Sequence, residues 1–223
     1  MSENKGYLYR IMRFDHAVQA LNGKLYFAHP SQWEDPYETH IKHQYDHAIF
    51  AQCWTTASMS DAMWRIYSPG FLGVRLRTTK SALATAMRAY AAGNPNFKRR
   101  IRNVDYLNPK SYKEKVAQIE VLMSDDEFKS PTFAADLLCL KRSAFSHERE
   151  VRAILYDAEA PRDEAQKRKG IEVEVNGHAL FDSILLDPRA PKELCEAMQH
   201  YFKKVLRFEG KVGQSKLYTV SGD

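Results

Sequence analysis

Lys141-Arg142-Ser143-Ala144-Phe145-Ser146-His147-Glu148-Arg149-Glu150-Val151-Arg152, running on into Ala153-Ile154-Leu155-Tyr156, is the stretch from which the rest of the chain is read. Its closing apolar run predicts a strand entering a core near 149–156. Side chains alternate along a strand, so Glu148, Glu150 and Arg152 are expected on one face, Arg149 and Val151 on the other. Three charged groups on one face of a core strand are costly unless that face lines a polar cleft. This face is therefore the first candidate for a chemical site.

Working outward, Tyr7–Met12 reads as a strand rich in aromatic and branched residues. Asp15–Leu21 reads as a short helix, with Phe14, Val18 and Leu21 at helical spacing and Asn22-Gly23 ending it. Strands are expected at Lys24–Ala28, Ala48–Thr55, Phe71–Arg77, Arg100–Leu107, 171–175 and 181–186, with terminal strands near 205–209 and 216–220. Helices are expected at Asp61–Tyr67 (capped by Ser60), Lys80–Ala92, Lys110–Met123, Pro131–Leu140 and 191–205. Residues 157–170 are charged and aperiodic, which predicts a surface loop. No internal repeat or interdomain linker interrupts the pattern. The expectation is a single α+β domain over 1–223, with a helical insertion around 80–140.

The 223 residues carry 44% apolar and 27% charged side chains, a globular rather than a disordered balance. No apolar stretch approaches the ~20 residues of a membrane helix, and Met1–Gly6 has no signal-like apolar region. Cys53, Cys139 and Cys195 are odd in number and widely spaced, which argues against a disulfide framework or a zinc ribbon. The chain reads as cytoplasmic with reduced thiols and no membrane partner. Its net charge of +5 is concentrated in Lys98-Arg99-Arg100 with Arg102, Lys167-Arg168-Lys169 and Lys203-Lys204. Such runs suit a polyanionic partner, although most serve only solubility.

Common catalytic and nucleotide-binding signatures, including the dinucleotide glycine fingerprint, the phosphate-binding loop and the nucleophile elbow, are absent. His40, His43 and His47 would share one face if helical, but their segment is polar throughout, and spacing alone does not make a metal site. No metal is expected. Cys139 sits in Leu137-Leu138-Cys139-Leu140 and reads as core rather than as a partner of His147. Met63, Trp64 and Tyr67 lie close on one side of their helix, either as a core stripe or as a flat platform for a nicotinamide or a base. Arg10 points away from the side faced by Tyr9, either to pair with Glu148 or Glu150 or to hold a phosphate or ribose.

Taken in order, Leu8-Tyr9-Arg10, Leu25-Tyr26-Phe27 through Trp33-Glu34-Asp35-Pro36-Tyr37, Cys53-Trp54-Thr55, Met63-Trp64-Arg65-Ile66-Tyr67 with Gly73, and Lys141–Arg152 resemble a bacterial family defined only as a domain of unknown function. Phe181–Arg189 is similar to its closing strand. Two positions depart from the pattern: Glu34 stands where asparagine is usual, and Phe145 where tryptophan is usual. The family is allied to abortive-infection proteins and more distantly similar to DarT-like ADP-ribosyltransferases. That resemblance implies the ADP-ribosyltransferase fold, with a mixed, mostly antiparallel sheet, and NAD as substrate. It implies that Arg10, with Tyr9 beside it, holds ribose or phosphate, that Thr55 with Thr56 braces the glutamate, and that Tyr67 or Trp64 stacks on nicotinamide. Glu150 becomes the catalytic acid and Glu148 orients the acceptor. A toxin or phage-defence effector follows, with RNA, DNA or a protein side chain as acceptor and a neutralising antitoxin as partner.

The chemistry agrees with the residue types. Breaking the nicotinamide–ribose bond builds oxocarbenium character, which a carboxylate stabilises directly and through the ribose 2-hydroxyl. Two other classes compete. In one, Glu148, Glu150, Arg152 and Arg10 form a structural ion-pair network in a non-enzymatic nucleic-acid or protein-binding domain. In the other, Asp35, Glu38 and Glu148 hold magnesium for a nuclease or phosphotransfer reaction, though without a recognised spacing.

Overall fold

A computed structural model describes residues 6–125, 128–160 and 168–220. The expected loop at 157–170 therefore lies partly outside the described residues. In chain order the elements are β1 (Tyr7–Arg13), α1 (Phe14–Leu21), β2 (Lys24–Ala28), β3 (Ile49–Thr55), α2 (Asp61–Tyr67), β4 (Gly73–Thr79), α3 (Lys80–Gly93), β5 (Phe97–Asn103), β6 (Asp105–Leu107), α4 (Pro109–Leu122), α5 (Pro131–Leu137), β7 (Leu140–Arg142), β8 (Glu150–Asp157), β9 (Gly170–Glu174), α6 (Gly177–Leu180), β10 (Ser183–Leu186), α7 (Lys192–His200) and β11 (Lys211–Gln214). The chain is mixed α+β, and most of its strand pairs are antiparallel.

The residues group into two compact units assembled from interleaved stretches. The first holds residues 1–25, 55–86 and 173–223. Here β1 and β4 pair antiparallel from Tyr7↔Thr79 to Arg13↔Gly73, β10 adds antiparallel to β4, and β11 runs parallel to β10. Alternation gives this sheet two characters. Leu8, Val74, Leu76, Ile184 and Leu186 are buried on one face, while the other carries Tyr7, Tyr9, Ile11, Arg75 and Arg77. Met63 and Trp64 of α2 pack on Ile11. Ser60 caps α2 by accepting from the Met63 amide.

The second unit holds residues 26–54 and 87–172. Its β5 and β8 pair antiparallel from Phe97↔Asp157 to Asn103↔Val151, β8 also pairs with β3, and β6 runs parallel to β7. Ile49, Ala51, Ala134, Ala135, Leu138, Cys139, Ile154 and Tyr156 form one buried cluster beneath α5.

Several boundaries differ from the sequence reading. The 80–140 stretch is not wholly helical, because β5 and β6 lie within it. The single strand expected over Arg100–Leu107 divides at Val104, whose amide bonds the Glu150 carbonyl, and its two halves join different sheets. The helix expected to reach Leu140 stops at Leu137, and Leu140 opens β7. The terminal strands are not at 205–209 or 216–220. The final helix instead continues as a π-helical turn, Tyr201–Val205, Arg207 adopts a left-handed φ of 54°, and the strand falls at Lys211–Gln214.

Candidate functional site

The turn between β7 and β8 determines where the acids go. Ser143–Glu148 forms a 3-10 helix, and Arg149 follows in the left-handed region, φ 44° and ψ 51°. Glu148 therefore precedes the strand rather than lying on it, and the two glutamates do not meet by strand alternation. They meet because the turn folds Glu148 back onto Lys141. The Lys141 Nζ lies 2.7 Å from Glu38 Oε1, 2.6 Å from Glu148 Oε2 and 3.1 Å from Glu150 Oε2.

Glu150 and Arg152, two apart on β8, do share a face as alternation requires. Arg152 Nε donates to Glu150 Oε1 at 2.7 Å, and Nη2 donates to Glu38 Oε2 at 2.7 Å. Arg152 Nη1 donates to the Leu138 carbonyl, and the indole of Trp33 covers the guanidinium at 4.3 Å. The Cys53 thiol adds a hydrogen bond to Glu150, whose amide donates to Tyr106 Oη at 2.8 Å. The Lys141 side chain is 7% exposed and that of Arg152 0%.

These surroundings push the two acids apart. Burial raises Glu150, but the charge and hydrogen bonds of Arg152, together with Lys141, outweigh it and hold the carboxyl at about 2. Burial raises Glu148, opposed by Lys141 and reinforced by Glu150 and Glu38. Burial alone would lower Lys141 and Arg152, yet the carboxylates keep both firmly protonated.

Glu38 also lines a cavity of about 640 Å³ within the same unit, with Tyr37, Tyr112, His29, His43, Gln44 and Leu138 among its walls. That volume suits a small-molecule ligand. The Gln44 side-chain nitrogen is buried there without an acceptor. Beside it, Arg142 donates to Asp35 at 3.0 Å and stacks on Tyr37 at 3.9 Å.

The remaining expected residues lie in the first unit. Tyr9 is buried under the Arg75 guanidinium, 4.7 Å from its ring. Thr55 is the register partner of Tyr9 and accepts from the Ala57 amide at 2.9 Å. Trp64 is 1% exposed, in the cluster with Ile11 and Met63. Tyr67 is 41% exposed. Arg10 is half-buried and points to the opposite face of β1 from Tyr9. Tyr9, Thr55 and Trp64 are thus placed in packed surroundings, and Tyr67 offers an open ring.

His40, His43 and His47 do not share a helix face, because 3-10 turns occupy Pro36–Thr39 and Asp46–Ala48. His43 is held by the Phe128 carbonyl at 3.0 Å. Among the described residues no group of three potential ligands is arranged for a metal ion. Glu38 and Glu148 instead converge on the Lys141 ammonium, and Asp35 is turned to Arg142. Cys139 is core, its thiol raised to about 11 by burial. Sequence reading missed Lys141 as the hub and Trp33 as a lid on Arg152. Neither has a spacing signal, because their partners come from the 3-10 turn and from more than 100 residues away.

A family model described as "Protein of unknown function (DUF2971)" matches residues 63–153. That span is less than half of the chain. It begins within α2, at Met63, and includes the Lys141–Arg152 stretch but not Tyr9, Arg10 or Thr55. A search of curated proteins finds no match. Among solved structures the chain is similar to Thermus sp. 2.9 DarT in complex with NAD+, at 12% identity and a TM-score of 0.41, covering 97% of this chain and 98% of that one. It is also similar to the same protein in complex with ADP-ribosylated ssDNA, at 12% and 0.44 with 95% of each chain covered. For the complex with carba-NAD+ the values are 14% and 0.43, with 96% and 97% covered. No helix among the described residues is long and apolar enough to cross a membrane.

Proposed function

We propose that the chain transfers ADP-ribose from NAD to an acceptor, with Glu150 as the catalytic carboxylate and Glu148 orienting the acceptor. One observation carries this reading: Glu148 and Glu150 converge on the Lys141 ammonium at 2.6 and 3.1 Å, while Arg152 also grips the Glu150 carboxylate at 2.7 Å. Glu150, held by two cations, is the fixed anion of the pair, and Glu148 is the carboxyl that burial pushes towards its protonated form. Glu150 would stabilise positive charge growing on the ribose as the nicotinamide bond lengthens, and would accept from the ribose 2-hydroxyl. Glu148 would take up the acceptor's proton. Lys141 and Arg152 hold the Glu150 carboxylate in one orientation. Tyr67 has the exposure required of a ring that stacks on nicotinamide, whereas Trp64 and Thr55 are buried supports. Arg10 is assigned to ribose or phosphate.

Nucleic acid is the proposed acceptor class, since β5 presents exposed Lys98, Arg99 and Arg102. The experiment uses NAD labelled in its adenosine half, incubated with the protein and single-stranded DNA, RNA or cell extract. Wild type should label a macromolecule, and Glu150→Gln should lower the rate by roughly two to four orders of magnitude while keeping its circular dichroism. Folded wild type that labels nothing and leaves NAD intact with every acceptor would defeat the proposal. The near-complete burial of Lys141 and Arg152 favours a second reading, a structural ion network in a non-enzymatic binding domain. Under it, wild type binds nucleic acid or protein without consuming NAD.

A further inference from the structure

On the first unit's mixed face, β4 presents two arginines two residues apart, and they are treated differently. Arg77 grips Asp182 with both a 2.7 Å and a 3.0 Å hydrogen bond and stacks over Tyr7 at 4.4 Å. Its charge is neutralised. Arg75 is half-buried over the Tyr9 ring, with Ile11 and Leu185 as its cross-strand neighbours. Among the described residues Arg75 has no acid partner, and its buried Nε has no acceptor. A neighbouring Arg77 adds like charge, and burial lowers the Arg75 pKa. An arginine fork fixed by an aromatic ring and apolar flanks, short of one anion, has the form of an oxyanion receptor.

We infer that Arg75, stacked on Tyr9, is a binding residue for a phosphoryl group. The phosphoryl group belongs either to the diphosphate of a dinucleotide, a role that then passes to Arg75 from Arg10 on the opposite face of β1, or to a nucleic-acid backbone. The inference stands on the first unit alone and needs neither Glu150 nor turnover. The test titrates inorganic pyrophosphate into the full-length protein at low salt, followed by calorimetry. Wild type should bind saturably, Arg75→Gln at least tenfold more weakly, and Arg75→Lys several-fold more weakly because the planar fork is lost. The surface variant Lys192→Gln should bind like wild type, and the readout, pyrophosphate binding without NAD, separates this site from the transferase chemistry.

Competition then identifies the source. Displacement of pyrophosphate by NAD assigns a dinucleotide diphosphate, and displacement by a single-stranded oligonucleotide without terminal phosphates assigns a backbone phosphodiester. Displacement by neither overturns the inference. So does absence of saturable binding to wild type, or equal affinity in Arg75→Gln. Should Arg75→Gln fail to fold, unchanged affinity in Arg75→Lys overturns it.

Discussion

Lys141 is the residue on which the acid cluster depends. One ammonium serves Glu38, Glu148 and Glu150, so Lys141→Met removes the cation that three buried carboxylates share. Breaking a buried pair by removing one partner costs about 3–5 kcal/mol. A denaturant midpoint for Lys141→Met close to that of wild type would contradict the network's importance. The pairing of Glu150 with Arg152 was legible in the sequence, because it needs only the two-residue period of a strand. The position of Glu148 was not, because Arg149 takes a left-handed conformation that breaks the strand period. Cys139 offers a second test at this scale. Its thiol sits in the core with a pKa of about 11, so thiol reagents at pH 8 should leave it unmodified in the folded protein and label it after unfolding.

Among the elements, α2 was read correctly from end to end, since its start and stop are written locally. Ser60 accepts from the Met63 amide, and Pro69-Gly70 lies just beyond the helix. Ser60→Ala should cost about 1 kcal/mol, measured by thermal or chemical unfolding. The short α6 was not foreseen, because its place is set by close approach rather than by periodicity. A Cβ on Gly177 would meet the Ala20 carbonyl and come within 2.7 Å of Leu21 backbone atoms. Gly177→Ala should therefore destabilise by about 1–3 kcal/mol or more, the range of overpacking. A wild-type melting profile would show that α1 and α6 can part at little cost. The last strand failed for the opposite reason. Residues 216–220 have strong β propensity but pair with no strand among the described residues, whereas the polar Lys211–Gln214 is recruited by β10. Partnership overrides propensity in sheets.

Across the whole molecule, the expectation of one domain over 1–223 rested on finding no linker. The two compact units divide inside β2, β3, α3 and β9 rather than in loops. Acid stability is a property at this scale. Glu150 titrates at about 2 when folded against an ordinary value of 4.5, so between those values the unfolded chain binds more protons and stability rises with pH. Its contribution is complete above about pH 4.5 and disappears as pH falls towards 2. Glu148 and Asp46, both raised by burial, contribute with the opposite sign, losing stability as pH rises through their folded values. Wild type should thus lose stability relative to Glu150→Gln between pH 4.5 and 3, and parallel curves would contradict the assignment. The proposal as a whole is tested most directly by nicotinamide released from NAD, measured for wild type beside Glu150→Gln of matched fold. The account predicts steady release by wild type and at least a hundredfold less from the variant. Equal release from both, or none from wild type with any acceptor present, contradicts it.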